Sequence, residues 1–181
     1  MGDMTPHFSR REFTCKCGCN TNIVAAELVN KLEKVYEYLS ETDDGVTAII
    51  VTSGCRCPKH SASIPNGSST DAHTRGIAAD VYAVKKDGTR WGAFSLAAVA
   101  EKIGFTGIGI IDNTAVHMDI RNNSNYVNPH WFGNEITGDD FVKTFSQYLP
   151  KTKTAAATPE TKKHKLVITL DGVKITEKEF N

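Results

Sequence analysis

His73-Thr-Arg-Gly-Ile-Ala-Ala-Asp80, read together with Val116-His117-Met118-Asp119 further along, decides the reading of this chain. Three side chains of the types that bind zinc, His73, Asp80 and His117, stand in these segments. Small residues fill the space between the first two. Zinc takes imidazole nitrogen and carboxylate oxygen, and a catalytic zinc site uses three protein ligands and leaves a fourth position for water. The spacing therefore predicts a zinc centre with hydrolytic chemistry.

Working outward, residues 77–83 read as a strand that carries Asp80 on the same face as Ala78 and Tyr82. His73 projects from the loop before it, and Gly76 and Ala78 are expected to keep the backbone close to the ion. Residues 115–120 read as a second strand, with His117 and Asp119 on one face and Met118 on the other. Asp119 is thus placed either to orient His117 or to act as general base. Residues 46–52 are β-branched and apolar, hence a buried strand, and 107–111 form another, joined to 115–120 through the turn pair Asp112-Asn113. Leu28, Leu32, Val35 and Leu39 recur at helical spacing, so 25–40 is an amphipathic helix with Glu33, Lys34 and Glu37 on its wet face. A further helix over 94–103 is ended by Gly104. Ser9 and Glu12 form a capping box at a short helical turn.

Flanking helices and mostly sequential strands give an α+β fold: a small antiparallel sheet with helices against it. Residues 1–150 are expected to form this domain. Residues 151–165, rich in Lys, Thr and Ala, read as a linker. Residues 166–181 read as a β-hairpin about Asp171-Gly172, too small to be stable alone. The hairpin is expected to pack on the domain, on a second copy, or on a partner such as the wall or a phage particle.

The chain has 181 residues, 40% hydrophobic and 23% charged, with a formal net charge of zero. Bulk charge therefore gives no reason to expect a nucleic-acid partner. No stretch is long and apolar enough to span a membrane. The N-terminus lacks the basic segment and apolar run of a secretory signal, so synthesis in the cytoplasm or trimming is expected. Five cysteines fall in two clusters, Cys15-Lys-Cys17-Gly-Cys19 and Cys55-Arg-Cys57. The odd number leaves one unpaired if the rest form disulfides. Reduced packed thiols, disulfides, or a structural zinc between the two clusters all remain open, although neither cluster has C-x-x-C spacing.

Arg56, in Ser53-Gly54-Cys55-Arg56, is suited to clamp a substrate carboxylate or stabilise an oxyanion. The bland readings stand beside these. A His-x-Asp pair on a strand is usually structural, His60, His130 and His164 read as loop or surface residues, and Asp112 reads first as turn chemistry. Trp131 and Phe132 read first as core packing.

Asp71-Ala-His73-Thr-Arg-Gly76-Ile-Ala78-Ala-Asp80 resembles the SxHxxGxAxD pattern of the zinc D-Ala-D-Ala carboxypeptidase family, with Asp71 where Ser is usual. These are peptidoglycan peptidases that share a fold with lysostaphin-type endopeptidases and the hedgehog signalling domain. His117-Met-Asp119-Ile-Arg121 is similar to the branch of that family with a His-x-Asp-x-Arg ending. That branch often carries a Cys-rich N-terminal segment and a Ser-Gly-x-Arg-Cys run, here Phe13-Thr-Cys-Lys-Cys-Gly-Cys19 and Ser53-Gly54-Cys55-Arg56-Cys57. The resemblance spans roughly residues 8–131 and leaves the tail uncovered.

The resemblance implies zinc ligands His73, Asp80 and His117, with Arg56 facing substrate. Other branches place Glu or Asp three residues before the last ligand, a position held here by Thr114. Asp119 is therefore the favoured catalytic base and Asp112 the runner-up. Many relatives are phage or prophage endolysins, which lack a signal peptide and leave the cell through a holin. The expectation is a zinc-dependent peptidase cutting an amide bond in the stem or cross-bridge of bacterial peptidoglycan. The competing expectation is a non-catalytic zinc-stabilised binding module, as the hedgehog domain exemplifies. A cysteine-based redox protein is disfavoured by the lack of a C-x-x-C pair.

Overall fold

The computed structural model describes residues 2–65, 67–121, 131–134, 144–153, 164–170 and 173–180, the last two stretches by their backbone alone. The chain enters through a 3-10 turn, Arg10–Phe13, where the Ser9 N–H donates to the Glu12 carboxylate at 2.6 Å. This is half of the reciprocal pairing expected of a capping box.

Helix α1, Ala26–Ser40, follows the predicted periodicity, and Leu28, Leu32, Val35 and Leu39 are all fully buried. Burial of each such side chain stabilises the fold by roughly 1.5–3 kcal/mol. Glu33 departs from expectation. It is buried rather than on the wet face, and His7 covers it, with Nδ1 at 2.5 Å and the backbone N–H at 3.3 Å from its carboxylate. The His7 ring in turn stacks on Tyr36 at 3.6 Å. The N-terminal segment thus converts a helix surface position into an interior one.

Strands β1 (Ala48–Ser53), β2 (Ala78–Val84), β3 (Gly107–Ile110), β4 (Val116–Asp119) and β5 (Trp131–Asn134) form one sheet in the order β1-β2-β4-β3-β5. Between β1 and β2 lies the short helix α2, Pro58–Ser61, and between β2 and β3 lies α3, Ala93–Ile103, ended by Gly104 at φ 92°. The first four strands pair antiparallel, as anticipated. β5 pairs parallel with β3, so the sheet is mixed. The short sequence Trp131-Phe-Gly-Asn134 carries no strong strand pattern, and a parallel partner needs a long crossover rather than a turn.

Alternation divides the sheet into two chemical faces. Ile49, Val51, Ala79, Val81, Ala83, Ile108, Ile110, Val116 and Met118 join the core with α1 and α3. The intervening residues, among them Asp80, His117 and Asp119, belong to the opposite face. A bulge between Val51 and Ser53 brings Ser53 opposite Asp80 on one side, while His117 stands opposite it on the other. Bulges recur beside functional sites because they re-aim side chains.

The C-terminal strands β6 (His164–Leu170) and β7 (Val173–Phe180) pair antiparallel as a separate two-stranded sheet. The turn residues Asp171-Gly172 and most of the linker segment, 154–163, lie outside the described residues. No helix among the described residues is long and apolar enough to cross a membrane.

Candidate metal centre

His73, Asp80 and His117 converge, and all three are buried. His73 Nε2 lies 3.1 Å from His117 Nδ1 and 3.3 Å from Asp80 Oδ1, and His117 Nδ1 lies 2.9 Å from the same oxygen. The backbone explains the convergence. Asp80 and His117 are direct cross-strand partners, and the loop before β2 returns His73 to the same spot. Gly76 closes that loop at φ 69°, and a Cβ there would sit 2.3 Å from the Ile23 carbonyl oxygen. Its role is this turn and its close packing on Ile23, rather than the approach to an ion expected from sequence.

The second nitrogen of His73, Nδ1, is 2.7 Å from the Gly54 carbonyl oxygen, which can only accept, so Nδ1 carries the proton. His117 Nε2 is 3.1 Å from Asp119 Oδ2, so Nε2 carries the proton there. With neutral rings, both remaining nitrogens point lone pairs at an ionised carboxylate oxygen. In that state the three atoms, within 3.3 Å of one another, are all acceptors. A metal cation, like a proton on either ring, resolves that repulsion. Tetrahedral zinc with ligands at 2.0–2.1 Å requires donor separations of about 3.3 Å, close to those found.

Asp119 is fully buried on the edge of the His117 ring away from His73 and Asp80. Its Oδ1 accepts from the Arg121 backbone N–H and from Arg121 Nε, both at 2.9 Å, and Arg121 Nη2 also donates to Oδ2. Burial by itself would raise the Asp119 pKa, but His117 and Arg121 outweigh it and hold the carboxyl well below the usual range. Gly107, paired with Asp119 across the strands, leaves the space for this carboxylate. A Cβ on Gly107 would meet Asp119 Oδ2 at 2.3 Å. The arrangement fits a carboxylate that orients a ligand imidazole, and it runs against the expected role of Asp119 as the base that shuttles a proton at the ligand edge.

Arg56 reaches the site, but toward Asp80 rather than outward. Its Nη2 donates to Asp80 Oδ2 at 2.5 Å and its Nε to Ser53 Oγ at 2.8 Å. Asp71, the departure from the family pattern, organises the loop before His73. It accepts from the Thr74 N–H at 3.0 Å, from the Ser68 N–H at 3.3 Å and from the Ser61 hydroxyl.

Asp112 is exposed, and its Oδ1 accepts from the Thr114 and Ala115 N–H groups, both at 2.7 Å. That is the turn chemistry read from sequence, and it leaves the runner-up base closing its own loop. Trp131 is half-buried, with its ring 6.3 Å from that of His117 and under the Arg121 guanidinium at 5.3 Å. It borders the site rather than the core. His130 lies outside the described residues.

Arg121 and the Gly54 carbonyl are parts of the site that sequence reasoning did not assign. Arg121 was legible, since alternation carries it to the same side as Asp119. A backbone carbonyl leaves no mark in sequence.

The model of the Peptidase M15 family matches residues 6–119, and the chain belongs to that family. It is thus a metallopeptidase akin to the zinc D-Ala-D-Ala carboxypeptidases, in agreement with the motif resemblance. M15 peptidases are zinc-dependent, and the His73-Asp80-His117 group is suited to such an ion. The matched stretch ends at Asp119, before Arg121, β5 and the hairpin. No curated protein and no solved structure matches the chain.

Proposed function

We propose that this protein hydrolyses an amide bond in the peptide stem or cross-bridge of bacterial peptidoglycan, with zinc held by His73 Nε2, Asp80 Oδ1 and His117 Nδ1. Two supports carry the reading: membership of the M15 family, and the convergence of three potential ligand atoms, one from each of His73, Asp80 and His117. Zinc there supplies Lewis acidity and a bound water with pKa near about 7.

The protein's own residues act around that centre. The Gly54 carbonyl fixes the His73 tautomer, and Asp119, itself neutralised by Arg121, fixes that of His117. Arg56 holds Asp80 through one oxygen and leaves the other for the ligand position. A guanidinium has five N–H donors, so Arg56 can hold Asp80 and still offer a donor to a substrate carboxylate or oxyanion.

A second reading, a zinc-stabilised binding module, is favoured by one observation. Neither carboxylate expected as the proton shuttle is presented at the ligand edge: Asp119 lies behind the ring and Asp112 closes a turn. Incubation of the zinc-loaded protein with defined muropeptides, with and without chelator, separates the two by mass spectrometry. Fragments that vanish with chelator are the expected outcome and identify the bond. Intact tetrapeptide, pentapeptide and cross-linked substrates, with protein shown to hold zinc, would establish the binding module instead.

A further inference from the structure

Away from the His73-Asp80-His117 group, the two cysteine clusters meet. The sulfurs of Cys15, Cys17, Cys19 and Cys57 all lie within 4.8 Å of one another. Cys15 Sγ to Cys17 Sγ is 3.4 Å and Cys17 Sγ to Cys57 Sγ is 3.7 Å. Zinc–sulfur bonds of 2.3 Å arranged tetrahedrally require sulfur separations of about 3.8 Å. A disulfide holds its sulfurs near about 2.05 Å, and plain van der Waals packing of thiols does not gather four of them around one point.

A second observation concerns the backbone donors around the sulfurs. The Cys57 N–H points at Cys15 Sγ at 3.3 Å, and the His60 N–H points at Cys57 Sγ at 3.4 Å. Backbone donors directed at sulfur suit thiolates, which accept, better than thiols. The His60 ring also stands 3.3 Å from Cys15 Sγ, and Lys59 lines the same surface depression with Cys17, Cys19 and Cys57. The Lys59 ammonium and the backbone donors reduce the excess negative charge of four thiolates on a divalent ion. Cys55, the odd cysteine, is buried, and its sulfur is not among the four that converge.

We propose that Cys15, Cys17, Cys19 and Cys57 form a four-thiolate structural zinc site, separate from the hydrolytic centre. Tetrahedral sulfur sites take zinc or iron; four donors from the protein leave no open position, so the ion is structural. Binding transfers the four thiol protons to solvent and leaves four thiolates on one divalent ion. The site clasps the N-terminal loop to the loop after β1. That second loop also supplies the Gly54 carbonyl to His73 and Arg56 to Asp80, so the clasp braces the hydrolytic centre from outside.

The test uses the full chain, purified under reductant, loaded with zinc and desalted. Elemental analysis is expected to find about two zinc ions per chain, and about one in the Cys17→Ser, Cys19→Ser double variant. Asp80→Asn, which disables the other group, is expected to retain the cysteine-bound zinc, so failure at one site is distinguishable from failure at the other. A double variant that holds as much zinc as its parent overturns the proposal. Because that variant can misfold, the unmodified protein is also loaded with cobalt(II). Thiolate-to-cobalt charge-transfer absorption is expected, in Asp80→Asn as well, and its absence from reduced, cobalt-loaded protein overturns the proposal. So does equal alkylation of Cys17 and Cys19 with and without zinc, or iron in place of zinc in the protein as isolated.

Discussion

His117 Nε2 lies 3.1 Å from Asp119 Oδ2, on the ring edge opposite the Nδ1 that faces Asp80 at 2.9 Å. One imidazole is therefore shared between a buried carboxylate behind it and the cluster of acceptors in front. A carboxylate so placed is set to orient the ring.

Replacing Asp119 by Asn separates the two roles. If Asp119 positions His117, zinc affinity falls about 10–100-fold, as competition titration with a chromogenic chelator would read. Turnover at saturating zinc then recovers most of its value. Unchanged zinc affinity with abolished turnover would restore Asp119 as the catalytic base.

Arg56 compensates Asp80 most when no cation is present. Its guanidinium and the Asp80 side chain are only 12% and 10% exposed. Arg56→Ala is expected to destabilise the metal-free protein by about 3 kcal/mol, because a buried charge loses its partner. Zinc-loaded protein should lose less, since the ion then neutralises Asp80. Urea unfolding with chelator and with zinc measures both values, and equal losses would count against this account.

Gly107→Ala forces a Cβ to within 2.4 Å of all three atoms of the Asp119 carboxylate group. A loss of about 1–3 kcal/mol is expected from the overpacking. Zinc affinity should fall with it, because the displaced carboxylate no longer aligns His117. Thermal unfolding together with zinc titration checks the pairing of the two effects.

The His7–Glu33 contact predicts an acid-sensitive component of stability. Burial alone would raise Glu33, but the His7 ring and amide more than offset it, and the folded pKa lies below the ordinary value. The depressed folded pKa means the unfolded state binds a proton first as pH falls. The stabilisation is therefore present above about pH 4.3, the unfolded value, and is lost as pH falls through the folded pKa. Glu33→Gln should flatten this part of the stability profile, as urea midpoints across acidic pH would record. A profile unchanged by the substitution would remove Glu33 from the account.

What could be read from the chain followed local rules. The α1 apolar ladder, the alternation around Met118 and the Gly104 terminus are periodicities of two or 3.6 residues, and the structure follows them. The convergence of His73, Asp80 and His117 was equally legible, because chemical type and spacing survive in one dimension. Directions were not. Whether Asp119 stands before or behind His117, and whether Arg56 turns to Asp80 or outward, depends on side chains meeting across strands. Glu33 looked solvent-facing because only α1 was in view, and the covering His7 arrives from a distant segment. β5 went unseen because its partner β3 is remote in sequence. The cysteine clusters lack C-x-x-C, but Cys57-Pro-Lys-His60 has a C-x-x-H spacing that brings His60 to the sulfurs.

The pairing of Asp80 with His117 across β2 and β4 makes the metal group a reporter of sheet alignment. A slip of one residue between these strands would turn His117 toward the core and Met118 toward Asp80. Only the correctly aligned chain presents all three donors together, so an ion that binds them withdraws that alignment from the pool of competitors by mass action. The residues suited to hydrolysis thus also proofread the fold that carries them.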